Sequence, residues 1–210
     1  MGLLKIIENI HSKVYVWRID EEFEYLLDGL VLREQTQDRL DRMKSEVHKR
    51  GFLAIRHLLL VAGYTDLDLL YDSNGKPYLK DGKHISISHS FEYACLIISN
   101  YTVGIDIEQK REKIQRIANK FLNGKEVSIS NSLKGEQSIE YLTRVWCAKE
   151  TLFKMGDSRS LSFKDDMYIE LEQFDSLCGK GKIESGSFYL EVTIEVIDLD
   201  GFILAYAVAL

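Results

Sequence analysis

Two carboxylates stand two positions apart in the segment VGIDIEQ, residues 103–109. Asp106 and Glu108 alternate with Ile105 and Ile107, and this alternation predicts a β-strand with both acids on one face. Two adjacent carboxylates repel each other unless a proton or a cation lies between them. Oxygen ligands of this kind suit Mg²⁺ or Mn²⁺ rather than zinc. On spacing alone, a solvated strand face is the commoner explanation.

A third acid lies in the segment RVWCAKETLFK, residues 144–154. On a helix, Trp146, Glu150 and Lys154 share one face, and Lys149 flanks it. A large aromatic side chain, an acid and two bases on one helix face fit neither a typical surface nor a typical core. The alternative is that Glu150 and Lys154 form an exposed helical ion pair, which contributes about 0.3 kcal/mol.

Three more segments carry polar or basic side chains that could meet an anion. ISISHS predicts a strand that ends in hydroxyls and an imidazole, NGKP predicts a turn with a stiffened exit, and KRGFLAIR opens part of a helix. Each has an ordinary explanation as a polar strand end, a turn or a solvated basic helix start. A serine hydrolase is disfavoured because the chain has no G-x-S-x-G motif. The candidate positions are Arg50, Lys76, Pro77, Ser88 and His89.

Long helices and short strands are predicted to position these residues. The pattern is helical over 21–63, amphipathic over 111–122 and helical again over 138–155, whereas 124–137 predicts a mobile loop. Strands are predicted at 14–19, 67–71, 77–80, 84–88, 93–98, 103–108, 166–172, 188–197 and 202–209. The turn SNYT within 93–108 predicts that its two strands form a hairpin.

Each half of the chain therefore contains one long helix followed by several strands. This order predicts an α+β fold of two similar lobes related by a pseudo-twofold axis, each a long helix packed on a small, mainly antiparallel sheet. We expect an N-terminal lobe at 1–102 and a C-terminal lobe at 103–210, with the active site in the cleft between them. A chain that supplies both lobes is expected to act as a monomer.

Composition excludes several classes of protein. The net charge of −6 disfavours a nucleic-acid binder, which needs a basic face to displace counterions. No segment reaches the ~20 apolar residues that span a bilayer, and the N-terminus lacks the pattern of a signal peptide. The three cysteines form no CxxC or zinc pattern, so reduced thiols and a cytoplasmic location are expected.

The order of these segments resembles that of the Sfp-type 4′-phosphopantetheinyl transferases. The resemblance is carried by Gly75-Lys76-Pro77, Ser88-His89-Ser90, Gly104-Ile105-Asp106-Ile107-Glu108 and Trp146-x-x-Lys149-Glu150-x-x-x-Lys154. The run RGFLA at 50–54 also resembles the early helix of that family. The resemblance implies transfer of the 4′-phosphopantetheine group of coenzyme A to a serine of an apo acyl, peptidyl or aryl carrier protein, with release of adenosine 3′,5′-bisphosphate.

The resemblance also implies a role for each site residue. Asp106, Glu108 and Glu150 are expected to hold Mg²⁺ or Mn²⁺, Lys154 to neutralise the reacting phosphate, and Glu150 to act as base; Asp106, Glu150 and Lys154 form the expected catalytic set. Coenzyme A is expected to contact Arg50, Lys76, Pro77, Ser88, His89, Asp106, Lys149 and Lys154. Part of the carrier-protein surface is expected at 111–135, with Phe121 and Leu122 as its apolar candidates.

Two other functions use the same residues. A magnesium-dependent phosphohydrolase would cleave a nucleotide with Asp106, Glu108 and Glu150, without any carrier protein. A non-catalytic homologue would bind carrier proteins and lack turnover.

Overall fold

A computed structural model of the chain describes residues 2–156 and 160–210. The chain divides into two compact units, of which the first extends to Thr102 and the second begins at Val103. Each unit contains one sheet and one long helix, which confirms the predicted mixed α+β class. No helix in the described part is long and apolar enough to cross a membrane.

The first unit is built on a six-stranded sheet in the order β1-β2-β6-β5-β4-β3, and every adjacent pair is antiparallel. Its strands are β1 Leu3–Glu8, β2 Ser12–Arg18, β3 Leu69–Tyr71, β4 Pro77–Leu79, β5 His84–Ser90 and β6 Tyr93–Ser99. Strand β1 was not predicted. Its side chains are mostly exposed because it is an edge strand, so it lacks a clear apolar signal.

The predicted helical region at 21–63 is three helices. These are α1 Phe23–Leu27, α2 Glu34–Arg42 and α3 Glu46–Val61. Helix α3 begins after Ser45, whose hydroxyl accepts a hydrogen bond from the His48 backbone N–H at 3.4 Å. It ends before Gly63, which has φ +85° and supplies the left-handed conformation that terminates many helices.

The second unit is built on a five-stranded sheet in the order β7-β11-β10-β9-β8. Its strands are β7 Thr102–Gln109, β8 Met167–Leu171, β9 Cys178–Ser185, β10 Phe188–Leu199 and β11 Phe202–Ala209. Strands β8, β9, β10 and β11 pair antiparallel in sequence order. Strand β9 was not predicted, because glycine and lysine positions interrupt its apolar alternation.

The helices of the second unit differ from the predicted ones before Glu136. Residues 111–122 form no single helix, but a 3-10 segment Glu112–Ile117 followed by the short helix α4 Ala118–Phe121. The predicted mobile loop is wrong as well, since it contains helix α5 Gly124–Ser132. The long helix α6 spans Glu136–Met155, close to its predicted bounds.

The predicted hairpin over 93–108 is also wrong, because its two strands belong to different sheets. Strand β6 pairs with β2 on one edge and with β5 on the other. Strand β7 instead neighbours β11. With both edges of β6 occupied, no hydrogen-bonding edge remains on β6 for the strand that follows it in the chain.

Each unit has its own hydrophobic core. In the first, α3 buries Leu53, Leu58 and Leu59 against its sheet. In the second, α6 buries a similar stripe that includes Leu152, and Phe121 and Leu122 belong to the same core. Because both are almost fully buried, the suggestion that Phe121 and Leu122 present an apolar surface to a carrier protein is wrong for this structure.

Candidate active site

Strand β7 and helix α6 lie unusually close together at Gly104. A Cβ atom at this position would lie 2.2 Å from the backbone oxygen of Thr151 and 2.8 Å from the Met155 side chain. Any other residue would therefore push β7 away from α6. The glycine of the GIDIE motif allows the strand that carries Asp106 to approach the helix that carries Glu150.

Strand β7 is buried, and this contradicts the simpler explanation of its acids as a solvated strand face. Ile105 and Ile107 are completely buried, and the acid between them, Asp106, is only 5% exposed. Glu108 is half-buried near the end of the strand. A buried carboxylate requires a compensating positive charge or hydrogen-bond donors, so the residues around Asp106 must supply one of these.

Lys154 is the positive charge next to Asp106. Its Nζ lies 2.7 Å from Asp106 Oδ1 and donates a second hydrogen bond to the Ile105 carbonyl at 2.8 Å. The Lys154 side chain is 26% exposed, so it is only partly buried. The ammonium group thus contacts β7, and it is close enough to Glu150 to oppose the rise of the pKa of that residue.

Glu108 is held by the indole of Trp146. Trp146 Nε1 donates a hydrogen bond to Glu108 Oε1 at 3.0 Å. The indole ring in turn packs against Phe121 and Phe163, with ring centroids 5.0 Å and 5.2 Å away. Two aromatic contacts and one hydrogen bond therefore fix the orientation of this carboxylate.

The three carboxylates lie close enough to affect one another's titration. Burial raises the pKa of Glu150 to about 7, and the negative charges of Asp106 and Glu108 add to this rise while Lys154 opposes it. Burial also raises the pKa of Glu108, with a further contribution from Asp106. A concentration of negative charge in a half-buried place is typical of sites that bind a cation or move a proton.

The acids do not form a preassembled metal site. In residues 2–156 and 160–210, no three His, Cys, Asp or Glu side chains are grouped as a ready ligand set. The donor chemistry nevertheless fits a hard divalent cation, because the three nearby candidates are carboxylates and their mutual repulsion favours a bound cation. The predicted roles of Asp106, Glu108 and Glu150 as metal ligands stay predictions.

Lys149 does not lie where a cofactor contact would require it. Its side chain is completely buried, and its Nζ donates to Glu126 Oε2, the Phe121 carbonyl and the Phe163 carbonyl at 2.6–2.8 Å. An ammonium group has three hydrogens, and these contacts use all three. The predicted contact of Lys149 with coenzyme A therefore disagrees with this geometry, in which the lysine joins segments of the protein.

Arg50 and His89 lie in the first unit, on α3 and β5. Arg50 Nη2 donates to the Ile19 carbonyl at 3.1 Å, and its buried Nε has no hydrogen-bond partner within the described residues. His89 lies against the next residue of α3: a Cβ on Gly51 would be 2.6 Å from His89 Nδ1. Gly51 therefore lets the imidazole approach the helix directly after Arg50.

The remaining predicted contacts of coenzyme A are also in the first unit. Ser88 is half-buried on β5 and pairs with Cys95 of β6. Lys76 follows the turn at Gly75, which has φ +81°, and its backbone N–H donates to Asp72 Oδ1 at 2.9 Å. Pro77 is the first residue of β4. The turn and the strand fix the backbone here, as the sequence predicts.

Glu126 was missed by the sequence reasoning. It is 1% exposed and lies in the first turn of α5, within the segment interpreted as a loop. The signal was present, because Asn123 and Glu126 stand three positions apart in the pattern of a helix capping box. Its pairing with Lys149 could not be found from the sequence, since the two residues are 23 positions apart.

Comparison with known proteins gives consistent similarities. Residues 102–207 match ACPS, described as the 4′-phosphopantetheinyl transferase superfamily. Over 164 residues the chain is 30% identical to 4′-phosphopantetheinyl transferase HetI of Nostoc sp., with 69% of each chain covered.

Two further relatives match over shorter segments. Identity is 32% over 127 residues with 4′-phosphopantetheinyl transferase gsp of Aneurinibacillus migulanus, covering 59% of this chain and 51% of the relative. It is 26% over 122 residues with 4′-phosphopantetheinyl transferase Sfp of Bacillus subtilis, covering 53% and 54%. The chain thus spans about half the length of these two curated relatives.

Proposed function

The chain belongs to the 4′-phosphopantetheinyl transferase superfamily, and from this we propose that it transfers the 4′-phosphopantetheine group of coenzyme A to a serine of an apo carrier protein. The second product is adenosine 3′,5′-bisphosphate. The family membership confirms the resemblance found in the sequence. The carrier is of the acyl, peptidyl or aryl type, so the chain acts as a holo-[acyl-carrier-protein] synthase type of enzyme.

The observation that carries this proposal is the grouping of Asp106, Lys154 and Glu150. Lys154 Nζ contacts Asp106 Oδ1, while Asp106 is among the charges that raise the pKa of Glu150. Transfer of a phosphate-linked group requires charge neutralisation and positioning more than covalent catalysis. A cluster with one ammonium group and an acid that can accept a proton near neutral pH suits that requirement.

The reaction balances without a nucleophile from the enzyme. The hydroxyl oxygen of the carrier serine forms a bond to the phosphorus that bears the pantetheine arm, and the bond from this phosphorus to the bridging oxygen breaks. Glu150 accepts the proton of the serine hydroxyl, as a carboxylate positioned as a general base can do. Lys154 contributes positive charge as negative charge grows on the leaving adenosine 3′,5′-bisphosphate.

Asp106, Glu108 and Glu150 are the residues that would hold Mg²⁺ or Mn²⁺. A bound divalent cation supplies positive charge to the pyrophosphate and helps to align it. Trp146 orients Glu108 for this role through its hydrogen bond of 3.0 Å.

In the proposed reaction, Arg50, Lys76, Ser88 and His89 bind the nucleotide end of coenzyme A, including its 3′-phosphate. Pro77 holds the backbone after Lys76, because its ring fixes one backbone dihedral angle. Arg50 supports this role with a half-buried side chain, whose guanidinium group can bind a phosphate through parallel hydrogen bonds. We also infer a monomer in the cytoplasm, a compartment in which cysteines such as Cys95, Cys147 and Cys178 stay reduced.

A mass measurement of the carrier tests the proposed function. The protein is incubated with coenzyme A, Mg²⁺ and apo carrier proteins of the acyl and peptidyl type, and the carriers are weighed. We expect a gain of about 340 Da, one phosphopantetheine group, on the carrier serine. Asp106→Ala and Glu150→Ala serve as matched variants, and both are expected to remain folded and to leave the carrier mass unchanged.

The same experiment separates the alternatives. Cleavage of coenzyme A without a change in carrier mass would favour the phosphohydrolase. Binding of the carrier with neither cleavage nor mass change would favour the non-catalytic homologue. Full transfer in the presence of EDTA would contradict the proposed metal ligands.

A further inference from the structure

We propose that the buried ion pair between Lys149 and Glu126 positions Glu108 by holding the aromatic residues that surround Trp146. This inference replaces the cofactor contact expected for Lys149. Lys149 and Glu126 are thus positioning residues, which act on the reaction through another side chain. Their proposed effect on catalysis rests on the proposed function, whereas their effect on Trp146 is independent of it.

The hydrogen bonds of Glu126 connect three segments of the second unit. Oε2 accepts hydrogen bonds from Lys149 Nζ at 2.7 Å and from the Asn123 backbone N–H at 2.9 Å. Oε1 accepts a hydrogen bond from the Ile169 backbone N–H at 3.1 Å. One carboxylate therefore joins the start of α5, the middle of α6 and strand β8.

Lys149 extends these connections to two further segments. Its Nζ donates to the Phe121 carbonyl at 2.6 Å, at the end of α4, and to the Phe163 carbonyl at 2.8 Å, before β8. Burial lowers the pKa of Lys149 below its ordinary value, and the attraction of Glu126 opposes that shift. With every ammonium hydrogen bonded, the two backbone carbonyls are fixed relative to α6.

The two residues whose carbonyls bind Lys149 are also the residues whose rings contact Trp146. Phe163 stacks on the indole at 5.2 Å between centroids with an interplanar angle of 20°, and Phe121 contacts it at 5.0 Å and 58°. Trp146 then donates to Glu108. A continuous set of contacts therefore runs from the buried ion pair through two backbones and their rings to the carboxylate.

Simple stabilisation is not a sufficient explanation for this ion pair. A buried ion pair costs much desolvation energy, and apolar residues of similar size often stabilise a protein as well or better. An ion pair does offer directional hydrogen bonds, which fix where its partners lie. Here those partners are the supports of Trp146, which is why we assign the pair a positioning role.

Hydrogen exchange at the indole of Trp146 tests the inference in protein without coenzyme A, metal or carrier. The chain has two tryptophans, and Trp17 provides an internal control because its Nε1 donates to Glu21 in the first unit at 3.2 Å. In the variant Lys149→Met/Glu126→Gln, which removes both charges, we expect the Trp146 indole hydrogen to exchange about tenfold faster. The Trp17 indole should exchange at its original rate.

If the double variant fails to fold, the single variant Glu126→Gln tests the inference instead. Glutamine keeps the shape of the glutamate side chain and one acceptor oxygen. Faster exchange at Trp146 in the folded variant supports the inference, and unchanged exchange overturns it. Arg144→Met is the matched control, because Arg144 is another buried base of α6 but pairs with Glu140 and Asp198. It should lower stability without changing exchange at Trp146.

Activity gives a second and separate measurement. Because loss of an outer contact typically weakens metal affinity 10- to 100-fold, the Mg²⁺ concentration for half-maximal transfer should rise about tenfold in Glu126→Gln but not in Arg144→Met. An unchanged Mg²⁺ requirement beside altered Trp146 exchange would overturn the catalytic part of the inference. Absence of transfer in the unmodified protein would instead overturn the proposed function.

Discussion

Glu150 is the acid of the candidate site whose pKa lies furthest from its ordinary value. Burial, together with the charges of Asp106 and Glu108, raises its pKa from 4.5 to about 7. Because the folded pKa lies above the unfolded value, the folded state binds the proton more tightly. The resulting contribution to stability is complete below pH 4.5 and is lost as the pH rises through 7.

Glu150→Gln should therefore separate activity from stability. We expect transfer to fall at least 100-fold, because glutamine cannot accept the serine proton as we propose that Glu150 does. In metal-free buffer at pH 8, the free energy of unfolding should rise by about 1–2 kcal/mol, after allowance for the partial exposure of this residue. Urea unfolding at pH 8 and at pH 4.5 measures the difference, which should vanish at the lower pH.

Glu195→Gln is the control for that experiment, since Glu195 is exposed on β10. It should unfold like the unmodified protein at both pH values. A lower stability of Glu150→Gln at pH 8 would contradict the assigned pKa shift.

Gly104 allows a second prediction for a single residue. Gly104→Ala places a Cβ 2.2 Å from the Thr151 carbonyl, so β7 or α6 must move. We expect a loss of about 2–4 kcal/mol in the free energy of unfolding, measured in urea, and reduced transfer by the remaining folded protein. Gly124→Ala is the control, because no described atom beyond its chain neighbours and its own helix backbone lies within 4 Å of the added Cβ, and alanine favours the helix. Equal stability of the two variants would contradict the close approach.

At the scale of elements, α5 depends on the capping box at its start. Asn123 Oδ1 accepts hydrogen bonds from the backbone N–H groups of Lys125 and Glu126 at 3.0 and 3.1 Å. The Glu126 carboxylate in turn accepts a hydrogen bond from the Asn123 backbone N–H, so one side chain serves both the cap and the ion pair with Lys149. Helix α5 is therefore anchored at its first turn and not along its length, where most side chains are exposed.

Asn123→Ala should destabilise the second unit by about 1 kcal/mol, because two backbone donors lose their acceptor. Urea unfolding and circular dichroism measure the loss. Ser128→Ala is the control within the same helix: its hydroxyl only donates to the Gly124 carbonyl, and alanine has the higher helix propensity. If Asn123→Ala were as stable as Ser128→Ala, the cap would not be what anchors α5.

At the scale of the whole molecule, the chain has a net charge of −6 and yet is proposed to bind a polyanion. Local basic side chains resolve this conflict, since charges near the ligand outweigh distant ones in salt solution. Arg50 and Lys76 in the first unit and Lys154 in the second are the bases proposed for this task.

Arg50→Gln should consequently raise the KM for coenzyme A about tenfold with little change in kcat, because it removes the charge-assisted contact to the nucleotide that we propose. Steady-state kinetics with a saturating carrier protein measures both constants. Lys80→Gln is the control, as Lys80 is an exposed base of the same unit outside the proposed set. A fall in kcat at unchanged KM would show that Arg50 acts on chemistry instead of binding.

Local sequence patterns predicted the elements and motif positions that depend on neighbouring residues. The alternation at 103–109 predicted β7, helical spacing placed Trp146, Glu150 and Lys154 on α6, and the order of motifs indicated the family. Short-range sterics and side-chain periodicity determine such features, so they can be read along the chain. The same reasoning missed β9 and interpreted α5 as a loop, where the apolar pattern is weak.

Contacts between distant positions were decided only by the tertiary structure. The sequence did not show that β6 and β7 belong to different sheets, that Lys154 contacts Asp106, or that Lys149 is buried against Glu126. Which strand edge is available, and which charge lies beside a buried lysine, depends on how whole elements pack. The spacing of residues determined which acidic and basic side chains share a face of a strand or a helix. The packing of helices and strands determined which of these side chains are buried and which of them contact each other.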